Sequence, residues 1–560
     1  MVLLGKIGRS WALLCSSAGF YVCFFVWLLY PSGRAFAQPI SGQLRAGADA
    51  RPLVNLSGVP LAGYGGGDRR KTIPWTEGYT FFFQAEEGEQ DLVRVKTMVI
   101  EVDGPPAKLF ALVSIDAVGL ADTIVVNVVE QLEGTGLNRE NIMFLATHTH
   151  SGPGALTDKV FWQIVAADVL NNELFDHTVG NIVDSVGAAL DDLQPAKLGI
   201  GVGYETEISA NRRHDNAPVD TRVGVIKVVD ENDEPIGVLF NFAVHGTCLG
   251  SGNMLRSADN MGYAERKLET ELSGAVALFA NAAEGDVKPT GGGFDGAQVV
   301  GETLADKVLE IWDTTDATDT AVLEIQTSLE SLPPLELNLT ACDDLVAQLM
   351  DTWLLQLPGP VADEEALFMA ARINEHALVT LPGEALTEIG FQVQDELAVQ
   401  GFQQVLIMGL ANGFIGYIMT PEEYDLGGYE ACGTLHGRET GEFVKEKAVT
   451  VGMALSPIGG PEPDGAVDAG DHDGAVIDAQ VGQDAGLDAT LENDSEAPGD
   501  GAANDGSTQG EPASSGCNCT YRPGKSGSRP GSNVPFYSVL WVLLITLALA
   551  IRSSTTTKEW

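Results

Sequence analysis

Short, continuous apolar runs recur along the chain, separated by segments in which apolar positions repeat every three or four residues. Three of the runs cover residues 109–115, 237–244 and 275–280. Their length and composition are typical of buried strands. The segments 124–132 and 264–272 have the spacing of helices that bury one face. This alternation predicts an α/β domain in which mixed β-sheets are flanked by helices.

The alternation continues without an obvious break over residues 38–456, so we expect one large domain there. Within this domain, residues 313–370 differ in composition, because "LPPLELNLT" precedes an acidic, leucine-rich helical stretch. We expect this segment to be an insertion or a lid that covers part of a site. No internal repeat stands out in the sequence.

The N-terminus has the pattern of an export signal. Residues 1–37 combine basic Lys6 and Arg9, an apolar stretch and the cleavage pattern Ala35-Phe36-Ala37. The apolar stretch is nearly as long as a membrane helix, so an uncleaved anchor is the alternative. Either interpretation predicts a protein exported to the cell surface, anchored in the outer membrane or released outside the cell.

The C-terminal part changes character after Pro457. Residues 457–533 are mostly small or acidic, which predicts a disordered spacer. A calcium site is the weaker alternative, because no regular D-x-D-x-D-G loop is present. Residues 534–551 are apolar and just long enough to cross a bilayer. Together with the preceding "GCNCTYRPGKSGSRPGSN", they resemble the C-terminal cell-surface sorting tails of myxobacterial proteins, with a plain tail anchor as the alternative.

Charge and cysteine content narrow the possibilities further. The formal net charge of −46 argues against nucleic acid as a partner. Three cysteines are scattered through the domain, Cys248, Cys342 and Cys432, which allows one disulfide and one odd thiol without identifying the pair.

Candidate chemistry begins where one apolar run ends, in "FLATHTHSGPGAL" (residues 144–156). In an extended strand, His148 and His150 would face the same side, as two ligands of a metal site do. They could equally be structural histidines or a hydrogen-bonded pair. A second apolar run ends in His245, and sites in open α/β sheets lie at the carboxyl ends of strands.

Two later stretches add acidic and aromatic groups. "VTLPGEALTEIG" places Glu384 between a strand and a helix, where it is either a site residue or a first-turn residue favoured by the helix dipole. "GLANGFIGYIMTPEEYDLGGYEACGTLHG" is rich in Gly and Tyr, and its tyrosines, including Tyr417, could be packing residues.

Taken together, these stretches resemble the catalytic domain of neutral ceramidases, the zinc-dependent non-lysosomal type. "THTHSGPG", "NFAVHGT", "SADNMGYA", "FANAAEGDVKP", "LPGE" and "GYIMTPEEY" occur in the family's order over residues 45–455. The resemblance implies one Zn²⁺ ion and a lipid substrate. It also implies hydrolysis of the amide of an N-acyl sphingoid base to a fatty acid and a long-chain amine.

The resemblance also implies roles for individual residues. The zinc ligands would be His148, His245, Glu384 and Tyr417. His150 would hydrogen-bond the substrate or the developing oxyanion, and is the first candidate for the acid that protonates the leaving nitrogen. Arg212 would lie near the substrate. Asp259, which precedes a helix expected to start near residue 261, would organise the neighbouring loop.

The chain departs from the family pattern at Lys288, where the family carries an essential serine. Where the resemblance implies a C-terminal immunoglobulin-like domain, we expect the acidic spacer instead. A lysine beside zinc would be desolvated and would act as a general base or acid. Alternatively, its charge would fill the metal pocket and abolish activity, or the side chain would swing away. The sequence therefore predicts a ceramidase-like zinc amidohydrolase, with two alternatives: a catalytically impaired surface binding protein, or a zinc hydrolase of another lipid amide or ester.

Overall fold

The computed structural model of the protein describes residues 40–457. The predicted export signal, the acidic spacer beyond Pro457 and the C-terminal apolar segment lie outside these residues. Within residues 40–457, no helix is both long and apolar enough to cross a membrane.

Mixed strands and helices alternate along the described residues, as the apolar pattern predicts. The strands are β1 Ile40–Pro52, β2 Gly88–Glu89, β3 Arg94–Val102, β4 Lys108–Ile115, β5 Ile142–Ala146, β6 Gln194–Tyr204, β7 Ser209–Asn211, β8 Arg222–Asp230, β9 Pro235–Phe242, β10 Leu255–Arg256, β11 Val276–Asn281, β12 Val287–Pro289, β13 Thr320–Ser331, β14 Glu365–Ile373, β15 His376–Thr380, β16 Glu384–Ala385, β17 Gln404–Met408 and β18 Tyr417–Ile418. The helices are α1 Asp122–Gln131, α2 Val160–Trp162, α3 Asn172–Asp191, α4 Asp259–Glu271, α5 Gly293–Thr314, α6 Asp344–Trp353, α7 Thr387–Ala398, α8 Pro421–Asp425, α9 Tyr429–Cys432 and α10 Thr440–Met453, with a 3-10 turn at Gly67–Arg69 and a π-helical turn at Gln163–Ala167.

Twelve of the strands form one branched sheet with three arms of the same topology. Strand β1 pairs with both β6 and β13, and each of these three strands starts an arm. In every arm the second strand pairs antiparallel with the first, and the third pairs antiparallel with the second. A helix then leads to a fourth strand, which pairs parallel with the third. A long helix follows. We define the first repeat as β1, β3, β4, α1, β5 and α3, the second as β6, β8, β9, α4, β11 and α5, and the third as β13, β14, β15, α7, β17 and α10.

Strands β4, β9 and β11 are buried on both faces, which explains why they read as continuous apolar runs. Phe110 and Leu112 of β4 point into a central core shared by all three arms. Ala111, Val113 and Ile115 of the same strand point outward, against α1 and α3. The second and third repeats have equivalent outer cores beneath their own helices. The three arms therefore enclose one core, and the helices cover the outer faces.

The predicted strands agree with β4, β9 and β11, and the predicted helices agree with α1 and α4. The helix expected near residue 261 begins earlier, at Asp259. The interpretation of residues 313–370 as an insertion is wrong at both ends, because β13 and β14 are inner strands of the large sheet. Only the connection between them, residues 332–364, lies outside it.

This connection is fastened to two other parts of the domain. A disulfide joins Cys342 to Cys432 in α9, and Cys248 is a buried free thiol, so one disulfide and one odd thiol are confirmed. The Val160 N–H donates to the Pro360 carbonyl, and Lys159 pairs with Asp363 at 3.0 Å. The connection therefore lies against residues 159–161.

Candidate metal centre

Six polar side chains converge where the carboxyl ends of the parallel strand pairs of the three repeats meet, as expected for sheets of this kind. The first repeat supplies two after β5, the second supplies one after β9 and one after β11, and the third supplies one after β15 and one after β17: His148, His150, His245, Glu284, Glu384 and Tyr417. All six are buried.

His148 is held by the backbone in a single orientation. Strand β5 ends at Ala146, and His148 has a φ of 68°, a left-handed conformation that few residues other than glycine adopt. Its Nδ1 lies 2.5 Å from the Val118 carbonyl oxygen. Because that carbonyl can only accept, Nδ1 carries the proton and Nε2 presents a lone pair to the cluster.

His150 faces the same cluster, although not through an extended strand as predicted. Its Nε2 lies 3.2 Å from the His148 Nε2. Gly63 packs directly against the ring, and a Cβ there would lie 2.6 Å from the His150 Cγ. Burial, followed by the neighbouring His148 and His245, lowers the pKa of His150 well below its ordinary value. The imidazole is therefore neutral at physiological pH.

Glu384 lies between two of the histidines. It is the first residue of β16, three positions before α7, so it is not a first-turn residue of that helix. Its Oε2 lies 3.3 Å from Nε2 of both His148 and His245.

Arg212 lies beside the cluster and ties several of its members together. Its guanidinium donates to the His245 Nε2 at 2.9 Å, to the Tyr417 Oη at 2.9 Å and to the Glu430 Oε1 at 3.0 Å. Burial, and then Arg212 and His148, lower the pKa of His245 to about 3. Burial and the Glu384 charge raise the pKa of Tyr417 well above its ordinary value.

Two carboxylates of the site were not predicted from the sequence. Glu430 in α9 accepts from both Arg212 and Arg213. Glu284 follows β11, and one of its carboxylate oxygens lies within 4.8 Å of ligand atoms of His148 and Glu384. A signal for Glu284 was present, because it follows a buried apolar strand just as His245 does.

The structure does not bring Lys288 to this cluster. Lys288 is the exposed middle residue of β12, and both of its neighbours, Val287 and Pro289, are buried. Side chains alternate along a strand, so the buried neighbours turn the ammonium group outward into water. The prediction that Lys288 is a desolvated catalytic amine is therefore wrong, and so is the alternative that its charge fills the metal pocket.

An apolar pocket adjoins the cluster. His150, Glu384, Tyr417 and Tyr429 form part of its lining, and the remainder is mainly apolar, including Val118, Ile124, Leu156, Trp162 and Phe414. Thr157 and Lys159, next to the 332–364 connection, also line it. This arrangement suits a ligand with an apolar chain and a polar group close to the histidines.

The donor set fits a metal ion. The Glu384 Oε2 lies 3.3 Å from the Nε2 atoms of both His148 and His245. Glu384 Oε2 has no hydrogen-bond partner among the described residues, and the lone pair of His148 Nε2 faces it. Lone pairs this close need a proton or a cation between them, and imidazole with carboxylate is a normal donor set for catalytic zinc. The site can therefore hold a metal ion.

Comparison with known proteins identifies the family. The family model for the N-terminal part of neutral/alkaline non-lysosomal ceramidases matches residues 74–302 and 296–445. The chain belongs to the neutral/alkaline non-lysosomal ceramidase family. The resemblance stated from the sequence motifs is thus confirmed.

Individual ceramidases are distant from this chain in sequence. Neutral ceramidase B of Dictyostelium discoideum is 24% identical over 459 residues, covering 60% of this chain and 64% of that protein. The neutral ceramidase of Pseudomonas aeruginosa is 25% identical over 401 residues, covering 57% of this chain and 60% of that protein. The chain thus spans somewhat under two thirds of the length of these relatives.

The fold is shared with a solved ceramidase. The crystal structure of the Pseudomonas aeruginosa neutral ceramidase superposes with a TM-score of 0.63 at 22% identity, covering 76% of each chain. A structure described as ceramidase complexed with C2 gives a TM-score of 0.62 at 21% identity, covering 76% of this chain and 77% of that one. The mixed α/β architecture is therefore that of a ceramidase.

Proposed function

We propose that the protein is a zinc-dependent hydrolase that cleaves the amide bond of ceramide-like N-acyl sphingoid lipids, releasing a fatty acid and a sphingoid base. Membership of the ceramidase family supports this reaction class. The observation that carries the proposal is the apolar pocket whose lining includes His150, Glu384 and Tyr417. A lipid chain bound in this pocket would lie beside these three side chains of the cluster.

In this proposal the metal is held by the predicted ligands His148, His245, Glu384 and Tyr417. When bound, zinc polarises the amide carbonyl and lowers the pKa of a water molecule. The Val118 carbonyl keeps His148 in the tautomer that ligation needs. Arg212, held by the Glu430 carboxylate at 3.0 Å, would orient Tyr417 by donating to its hydroxyl oxygen.

His150 is the proposed donor to the substrate. Its neutral imidazole carries one N–H, which can donate to the amide oxygen as negative charge develops there. Gly63 and the surrounding packing fix the ring beside the pocket, so the donor is oriented before substrate binds. The lowered pKa of His150 favours this role over delivery of a proton from an imidazolium.

We also propose that the protein is exported. The Cys342–Cys432 disulfide supports this, because such bonds persist mainly in oxidising compartments. The catalytically impaired alternative is not favoured, since the Lys288 ammonium does not occupy the pocket.

The test is release of a fluorescent fatty acid from an N-acyl sphingosine by the full-length protein, with and without a metal chelator. We expect turnover that a chelator abolishes and Zn²⁺ restores, and a loss of at least about 100-fold in His148→Ala. His376→Ala is the matched control, because His376 starts β15 at the end of the strand farther from Glu384. Stoichiometric zinc without turnover of any lipid amide or ester would contradict the proposal.

A further inference from the structure

Glu284 is a fully buried acid that the predicted ligand set does not use. It lies in the short loop between β11 and β12, and its side chain has no solvent exposure. Neither carboxylate oxygen has a hydrogen-bond partner among the described residues. Burying a carboxyl group without a hydrogen-bond partner costs free energy, so we expect a bound ligand to supply the missing partner.

The carboxylate of Glu284 points into the metal centre. Ligand atoms of Glu284, Glu384 and His148 all lie within 4.8 Å of one another. Burial, followed by the charge of Glu384, raises the pKa of Glu284 well above its ordinary value. A divalent cation between the two carboxylates would remove this repulsion and supply the missing partner.

The Glu284 oxygens also differ from two predicted ligands in having no donor beside them. The His245 Nε2 and the Tyr417 Oη each accept a hydrogen bond from Arg212, at 2.9 Å in both cases. No donor of this kind satisfies either Glu284 oxygen among residues 40–457.

We propose that Glu284 is a further direct ligand of the metal ion, in addition to the four predicted ligands and next to His148 and Glu384. Together the Glu284 and Glu384 carboxylates would neutralise the charge of a divalent ion. The inference concerns the metal site on which the proposed function rests, but it is independent of which lipid is hydrolysed.

The test measures Zn²⁺ affinity directly, by competition with a chromophoric chelator at fixed pH, in the full-length protein. Loss of an outer partner of a metal ligand costs roughly 10–100-fold in affinity, so loss of a ligand should cost at least as much as the upper value. We expect about a 100-fold or larger loss for Glu284→Ala and a smaller loss for Glu284→Gln. Glu133→Ala, which removes an exposed glutamate just after α1, is the matched control and should stay within about 3-fold of wild type.

A second measurement separates ligation from positioning. With Co²⁺ at saturation, the visible absorption spectrum reports the coordination sphere, so Glu284→Gln should change the spectrum if Glu284 is a ligand. An unchanged spectrum, or Zn²⁺ affinity within about 3-fold of wild type in Glu284→Ala, would overturn the proposal. Thermal denaturation without metal provides the folding control, and Glu284→Gln should melt no lower than the wild type, because it removes an unpartnered buried acid.

These readouts do not depend on hydrolysis. If the variants lose metal while the wild type cleaves no N-acyl sphingosine, the ligand assignment stands and the proposed function fails. If the wild type is an active, zinc-dependent ceramidase and Glu284→Ala keeps its zinc, the proposed function stands and the ligand assignment fails.

Discussion

Lys288 and Glu284 are four residues apart, yet the fold gives them opposite surroundings. Glu284 is fully buried and faces His148 and Glu384, whereas Lys288 faces solvent from β12. The backbone of Lys288 pairs with Ala210 of β7, which fixes the outward direction of its side chain. The residue that departs most visibly from the family motif is thus outside the cluster, and a residue that drew no notice lies within it.

Lys288→Ser should therefore change little. An exposed side chain contributes within about 0.5 kcal/mol to stability, and we expect turnover to change by less than about 3-fold. Steady-state hydrolysis and urea denaturation of both proteins check this. A large gain in activity would show that the lysine is a handicap, and a large loss would show that it takes part in catalysis; either result would contradict the exposed position seen here.

At the scale of single elements, the start of α4 shows how a loop of the site is fixed. Asp259 has a φ of 54°, and its carboxylate accepts from the Leu249 N–H at 3.0 Å and from the Asn260 N–H at 2.7 Å. Asn260 in turn donates to the carbonyl of His245. The predicted role of Asp259 as organiser of this loop agrees with these bonds.

Asp259 also predicts a pH dependence. Burial raises its pKa to about 6, against about 3.9 for an unfolded chain. The folded state therefore holds this proton more tightly than the unfolded chain does. The protonated carboxyl group adds to the free energy of unfolding below pH 4, and this stabilisation is lost as the pH rises through 6. Asp259→Asn does not titrate. Its stability relative to wild type should rise by up to about 3 kcal/mol between pH 4 and pH 7, measured by urea denaturation. A constant difference across this range would refute the assignment.

At the scale of the whole molecule, the site depends on how the three repeats meet. Asn281, fully buried at the end of β11, accepts from the Val244 N–H at 3.2 Å and donates to its carbonyl at 2.9 Å. It also donates to the carbonyl of Thr147 in the first repeat, and its own carbonyl accepts from Gly409 in the third. One residue thus joins the segments that carry His148, His245 and Glu284.

Asn281→Ala should destabilise the protein by about 3 kcal/mol, because several buried backbone groups lose their partners. It should also weaken metal binding, since the histidine segments lose their common support. Denaturant unfolding and zinc content check the two effects. Asn232→Ala, in the exposed turn between β8 and β9, is the matched control and should stay within about 0.5 kcal/mol of wild type. Equal stability of both variants would show that Asn281 does not hold the repeats together.

By itself, the sequence pattern determined the fold class, the strands β4, β9 and β11, and the three histidines at the ends of apolar runs. It could do so because strands buried on both faces are continuously apolar, and because polar residues directly after such strands meet at one edge of a sheet. Glu384, Tyr417 and Arg212 were assigned to the site through the resemblance to the ceramidase family. The threefold repeat, the inner position of β13 and β14, the pairing of Cys342 with Cys432, the exposure of Lys288 and the burial of Glu284 were decided only by the tertiary structure. Each of these depends on which distant segments become neighbours, and local pattern does not contain that information.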